Sequence, residues 1–166
     1  RLDPKNFESA YSKFLGLADK KKQVYDDDLM MLVRDESEDS ANVFVLTDLQ
    51  VTTGTGETKP TATVRLTRGG KTLEGTARGD GPVDAFVKAI NRLVRTNGRM
   101  SDFSLQSITV GQDAMGEANV SVTFGSETLS GKAVSTDIIE ASAKAYLSCV
   151  NRYLCMKAAG RNATGK

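Results

Sequence analysis

The sequence predicts an α+β fold in which two tandem βββα units follow a short helical linker subdomain. Apolar and polar residues alternate in the segments after residue 43, as is typical of half-buried strands. Apolar residues then recur at three- and four-residue steps, as on one face of a helix. The same order of strands and helix occurs twice, which indicates a duplicated unit.

The first predicted element is a helical linker subdomain at 1–41. Phe7 and Phe14 stand two turns apart on one face of a helix. The segment 35–41 is acidic and rich in small residues, which is typical of a linker. We therefore place a domain boundary after it and assign 42–157 to a second domain.

Unit one of the second domain is predicted to span about 43–98. It contains three strands, and Gly69-Gly70 is predicted to form a tight hairpin turn between the last two. A helix follows, and Asn97-Gly98 is predicted to end it, because these residues favour the left-handed conformation of a helix C-terminus. The apolar stripe of this helix consists of Val83, Phe86, Val87, Ile90, Leu93 and Val94.

Unit two is predicted to span about 100–157 and to precede a flexible tail at 158–166. Aligning Asp48–Val94 with Ser104–Val150, a shift of 56 residues, needs no gap. The alignment matches glycines and inward-facing positions in phase along its whole length. We interpret it as one supersecondary unit used twice.

The first strand of unit two changes its apolar phase. Phe103 and Leu105 share one face, whereas Ile108 and Val110 fall on the other. Two explanations are open: a β-bulge in this strand, or apolar side chains on both faces of the sheet. A second apolar face would suit contact with a partner subunit.

The composition excludes several classes of function. The chain has no histidine, which excludes a histidine-dependent catalytic triad and any histidine-ligated metal site. The 22 basic and 21 acidic residues form no basic stripe, so we expect no nucleic-acid partner. No apolar run is long enough for a membrane span, and we expect no membrane association. Cys149 and Cys155 lie on different faces of one predicted helix, which favours free thiols and a reducing, cytoplasmic compartment.

The two predicted helix starts differ in their capping. Gly81 and Asp137 occupy the cap position, and Asp137 with Glu140 resembles a capping box. Gly81 has no side chain that caps, so its helix offers free N–H groups to an outside acceptor such as a carboxylate. Asp80 or Asp84 would balance an ammonium group, so a free amino acid fits. A glycine turn without a ligand is the alternative.

Both helix starts resemble a known family. The segment 79–85, Gly-Asp-Gly-Pro-Val-Asp-Ala, and the segment 135–141, Ser-Thr-Asp-Ile-Ile-Glu-Ala, resemble motifs of the C-terminal regulatory domain of 2-isopropylmalate synthase. The segments 18–22, Ala-Asp-Lys-Lys-Lys, and 27–29, Asp-Asp-Leu, are similar to the linker subdomain of that family, so the resemblance covers nearly the whole chain. The regulatory domain of citramalate synthase is a similar relative.

The resemblance implies a dimerising domain that binds a pathway end product and is not itself catalytic. Leucine is the effector of 2-isopropylmalate synthases, and isoleucine that of citramalate synthases. The parent enzyme of the family is an acyltransferase, whose separate TIM barrel condenses acetyl-CoA with 2-ketoisovalerate at a divalent metal. No cofactor is expected in the regulatory domain. The effector pocket implied by the resemblance consists of Gly79, Asp80, Gly81, Pro82, Val83, Ala85, Val110, Ala114 and Ala118.

Three functions are therefore open for the chain. The first is a regulatory domain that senses leucine, or isoleucine if the chain is closer to citramalate synthase. The second is a dimerisation module without an effector. The third, an independent enzyme, is disfavoured by the missing histidine and the lack of a paired nucleophile and base.

Overall fold

The structure is a computed structural model that describes residues 43–110 and 113–164. The linker subdomain predicted at 1–41 lies outside the described residues. All elements given below belong to the compact unit Phe44–Lys166.

The described residues form two consecutive βββα units. Unit one contains β1 (Val45–Thr52), β2 (Thr61–Arg68), β3 (Lys71–Arg78) and α1 (Pro82–Val94). Unit two contains β4 (Arg99–Val110), β5 (Asp113–Phe124), β6 (Glu127–Ser135) and α2 (Ile138–Thr164). The strands of each unit form a three-stranded antiparallel sheet in chain order. The predicted α+β fold with two βββα units is confirmed.

The central strand of each sheet buries one face and leaves the other more exposed, as the alternating pattern predicts. On β2, Ala62, Val64 and Leu66 are fully buried, whereas Arg65 between them is exposed and pairs with Glu74 on β3. Helix α1 packs against β2 and β3, α2 packs against β5 and β6, and the two helices contact each other. The buried faces and the helix stripes form one hydrophobic core.

The two units correspond at a shift of 56 residues in their second and third strands, but not in their first. The pair β2–β3 and the pair β5–β6 have the same register at this shift. Leu49 pairs with Val64, but Phe103, not Leu105, pairs with the equivalent Val120. β1 therefore matches β4 at a shift of 54 residues, and the gapless alignment is wrong over this strand. The two extra residues of unit two lie in the longer β4–β5 hairpin.

The phase change along β4 arises from apolar side chains on both faces of the hairpin. The strand does contain a bulge, but it lies between Met100 and Asp102, upstream of the change, and β1 has a matching bulge. Further along, Ile108 pairs with Met115 on the face opposite to Leu105. Of the two explanations for the phase change, the structure supports apolar side chains on both faces of the sheet.

The end of α1 differs from the prediction. The helix ends at Val94, and Arg95 adopts the left-handed conformation with φ of 56°, before the glycine that was expected to stop it. Gly98 serves a different purpose. A Cβ atom there would lie 2.5 Å from both Phe124 Cε1 and the hydroxyl oxygen of Tyr146. The glycine lets the start of β4 approach the core.

Helix α2 continues to Thr164, past residue 157, where the second domain was predicted to end and the tail to begin. Cys155 is the last half-buried residue before an exposed stretch at 156–160. Cys149 is fully buried, Cys155 is half-buried, and both are free thiols. Among the described residues, no helix has the length and apolar character needed to cross a bilayer.

The glycines at equivalent positions of β3 and β6 differ in what they contact. A Cβ at Gly131 would collide with the carbonyl oxygen of Ala145 in α2, whereas a Cβ at Gly75 would lie 2.9 Å from the terminal methyl Cδ2 of Leu93. Gly131→Ala should lower the free energy of unfolding by about 1–3 kcal/mol, because backbone cannot move aside as a methyl can. Gly75→Ala should cost less than about 1 kcal/mol. Urea unfolding of both variants measures the difference, and equal losses would contradict this packing.

Candidate functional site

An open groove of about 830 Å³ lies between α1 and the start of β4. The helix side contributes Gly81, Val83, Asp84, Val87, Lys88 and Asn91. The strand side contributes Asn97, Gly98, Arg99, Met100, Ser101, Asp102 and Phe103. The two walls are joined by the short turn that follows α1.

The groove combines apolar walls with charges of both signs. Four apolar side chains, Val83, Val87, Met100 and Phe103, line it. Two carboxylates, Asp84 and Asp102, and two cations, Lys88 and Arg99, line it as well. A small zwitterion with an apolar side chain is complementary to this set, since each part of such a ligand finds a matching group.

The start of α1 leaves backbone donors uncapped at one end of the groove. Gly81 is extended, with φ of −147° and ψ of 173°, and no side chain caps the helix. Pro82 at the first helical position has no N–H, and the first helical hydrogen bond runs from Ala85 N–H to Gly81 O at 3.0 Å. The N–H groups of Val83 and Asp84 therefore lack a capping side chain, and the helix dipole favours an anion there.

The start of α2 is capped by its own side chain. Asp137 Oδ1 accepts hydrogen bonds from Ile139 N–H at 2.8 Å and Glu140 N–H at 3.3 Å, which confirms the predicted cap. The reciprocal bond of a capping box is absent, because Asp137 N–H donates to Ser135 Oγ, and this hydroxyl donates to Glu140 at 2.6 Å. The amides of this helix start are thus already occupied, unlike those of α1.

Asp84 holds a negative charge at the mouth of the groove. Its Oδ2 accepts hydrogen bonds from Lys88 Nζ at 2.6 Å and from Asp80 N–H at 2.9 Å. The Lys88 bond, with help from the Asp80 amide, holds the pKa of Asp84 below its usual value, against the opposing effect of burial. The stabilisation from this ionised carboxylate is complete at neutral pH and is lost as the pH falls through the lowered pKa.

The predicted pocket residues of the glycine turn lie at or beneath one end of the groove. Gly81 and Val83 line it. Gly79 is buried under the helix start, where a Cβ would collide with the backbone nitrogen of Ala85. Asp80 is exposed and Pro82 half-buried, and Ala85 is fully buried.

The other three predicted residues lie on the β4–β5 hairpin. Ala118 is fully buried and pairs with Leu105. Ala114 is exposed and pairs with Thr109, and Val110 is the last residue of β4. Their assignment to an effector pocket stays a prediction.

The residues on the strand side of the groove were not predicted from the sequence. Residues 97–103 precede or begin β4, and their position beside α1 depends on the register of that strand. On the helix side a signal was present, since Val83, Val87 and Asn91 recur every four residues along one face of α1. Within the described residues, no group of three or more Cys, Asp or Glu side chains is arranged to hold a metal ion.

A model of the family described as the LeuA allosteric (dimerisation) domain matches residues 23–154. The chain belongs to this family. The resemblance seen at the two helix starts is thereby confirmed.

Proteins named 2-isopropylmalate synthase are similar to this LeuA-family chain over most of its length. The one from Picosynechococcus sp. (strain ATCC 27264 / PCC 7002 / PR-6) is 43% identical over 152 residues, which cover 91% of this chain and 28% of the relative. The one from Heliobacterium modesticaldum is 41% identical over 151 residues, covering 91% and 29%. That from Nostoc sp. (strain PCC 7120 / SAG 25.82 / UTEX 2576) is 43% identical over 152 residues, with 91% and 28% covered. The chain thus spans less than a third of the length of these relatives.

Proposed function

We propose that this chain is the regulatory domain of a 2-isopropylmalate synthase and that leucine binds in the groove between α1 and β4. The observation that carries the proposal is the groove itself, in which an uncapped helix start, charges of both signs and an apolar wall converge. Family membership and the names of the similar proteins support the assignment.

Each part of leucine has a complementary group in the groove. The carboxylate would accept hydrogen bonds from the uncapped N–H groups of Val83 and Asp84. The ammonium group would be balanced by the carboxylates of Asp84 and Asp102. The branched side chain would pack against Met100 and Phe103 on the strand side.

Bound leucine would act as a feedback inhibitor of a catalytic domain elsewhere in the same protein. That domain would be the family's acyltransferase TIM barrel, which uses a divalent metal to condense acetyl-CoA with 2-ketoisovalerate. The effector would favour one packing of the two units, and this shift in population would be passed to the barrel. The cytoplasm is the compartment in which this biosynthetic step would take place.

The exposed face of unit two supplies a surface for a second copy of the chain. Met115 and Val134 are 38% and 39% exposed and stand on the outer face, where an antiparallel sheet normally carries polar residues. Met115 pairs with Ile108 in the part of the hairpin that extends past the end of β6. A two-stranded segment with apolar side chains gains stability from being covered, and the dimerisation named in the family description agrees with this surface.

Isothermal titration calorimetry with leucine, isoleucine and lysine tests the effector. We expect saturable heat from leucine and none from lysine, whose charged side chain would meet the apolar wall. Heat from isoleucine alone would favour the citramalate synthase relationship. No heat from any of the three would contradict effector binding and leave a dimerisation module.

The substitution Gly81→Val tests whether leucine binds in the groove. Gly81 has an extended φ that any residue adopts, and a Cβ there would meet no atom within 4 Å, so folding should be unaffected. The added side chain should occupy the groove and weaken leucine binding about ten- to a hundredfold. Gly160→Val, at another open position on α2, is the control and should bind as the wild type does.

Sedimentation velocity tests whether the chain dimerises through the outer face of unit two. The wild-type chain should sediment as a dimer at micromolar concentration, and Met115→Lys should raise the dimer dissociation constant at least about tenfold by burying an unpaired charge. Thr128→Lys, exposed on the same sheet at the far end of the β5–β6 hairpin, should remain dimeric. A Met115→Lys variant that dimerises as well as the wild type would show that the interface lies elsewhere.

A further inference from the structure

Tyr146 links α2 of unit two to the turn between α1 and β4. Its ring is fully buried, and its hydroxyl lies 2.8 Å from Asn91 Oδ1 and 3.0 Å from Gly98 O. Asn91 Nδ2 also donates to Gly98 O at 2.8 Å, and Thr96 Oγ1 donates to Asn91 Oδ1 at 2.8 Å. These bonds close a polar cluster around the turn, and the hydroxyl is the part of it that α2 supplies.

The partners of the hydroxyl are groove residues, although Tyr146 is not. Asn91 lies on the helix side of the groove and Gly98 on the strand side. A change in the position of the hydroxyl is therefore passed to both walls at once. Burial raises the pKa of Tyr146, so the hydroxyl keeps its proton and can donate it to either acceptor.

The cluster belongs to one end of the duplicated fold. The residue of unit one that corresponds to Tyr146 is Ile90, which has no hydroxyl. When β1 and β4 are aligned by their pairing with the second strands, Gly98 corresponds to Phe44. Phe44 is buried, and Asn151 holds its backbone through two hydrogen bonds of 2.8 and 2.9 Å. The Tyr146 hydroxyl is thus a feature of the open groove and not of the repeat.

We propose that Tyr146 is a positioning residue for the groove, whose hydroxyl sets the separation of α1 and the start of β4 and couples the packing of α2 to effector binding. The coupling to an effector rests on the function proposed above. The positioning of the turn does not, so the two are tested separately.

Hydrogen–deuterium exchange of the 166-residue chain without effector tests the positioning. Tyr146→Phe keeps the ring that fills the core and removes only the hydroxyl. We expect the amides of residues 97–101 to exchange about five- to tenfold faster, with the rest of both sheets unchanged. Unchanged exchange at the turn, or an equal increase throughout the sheets, would overturn the proposal.

Tyr153→Phe is the matched control. Tyr153 lies on the same helix, and its ring stacks on Phe124 with centroids 4.2 Å apart, so the same chemical change is made at a residue that bonds neither Asn91 nor Gly98. Exchange at residues 97–101 should not respond to it.

Leucine titration of the same variants tests the coupling. Tyr146→Phe should bind leucine about five- to tenfold more weakly, and Tyr153→Phe as tightly as the wild type. Equal affinity of Tyr146→Phe and wild type would overturn the coupling. If the wild type binds no leucine, the proposed function fails, and the exchange at residues 97–101 alone decides the role of Tyr146.

Discussion

The two units are organised by a mismatch in width between one helix and a three-stranded sheet. A helix with its side chains is about 10 Å across, whereas three strands spaced about 4.8 Å apart occupy about 14 Å. Each helix covers the second and third strands of its own unit. The helix of its own unit therefore does not cover the inner face of the first strand. The contacts between the two units depend on what covers this face on β1 and on β4.

The inner faces of the two first strands, β1 and β4, are covered to different extents. Helix α2 reaches across to β1, and Asn151 fixes the backbone of Phe44 there, so this side of the molecule is filled. The equivalent position in unit two is Gly98, directly before β4, and Phe103 and Leu105 on β4 stay 36% and 42% exposed. Among the described residues, a duplicated fold thereby becomes asymmetric, with an open groove beside an uncapped helix. Helix α2 forms hydrogen bonds to the groove residues through Tyr146 and to the start of β1 through Asn151. A shift of this one helix would therefore move both the groove and the start of β1.

Much of the fold could be predicted from the sequence, because strand alternation and helical stripes are local patterns that both units repeat. The register of the first strands could not. Leu49 and Leu105 each precede a glutamine, so sequence identity favoured aligning them, whereas pairing with the second strand aligns Leu49 with Phe103. The end of α1 is decided by Arg95 adopting a conformation that its side chain does not favour. The uncapped start of α1 at Gly81 was predictable, but the opposite wall was not, because it depends on which strand the helices leave uncovered.

The most direct test of the groove is to follow the backbone amides of the ¹⁵N-labelled chain by NMR during a titration with leucine. We predict saturable shifts that are largest at the amides of Val83 and Asp84 and along residues 97–103, since these form the two walls. Shifts concentrated on the distal β4–β5 hairpin around Ala114 and Ala118, or no saturable shifts at all, would contradict the assignment of the groove as the effector site.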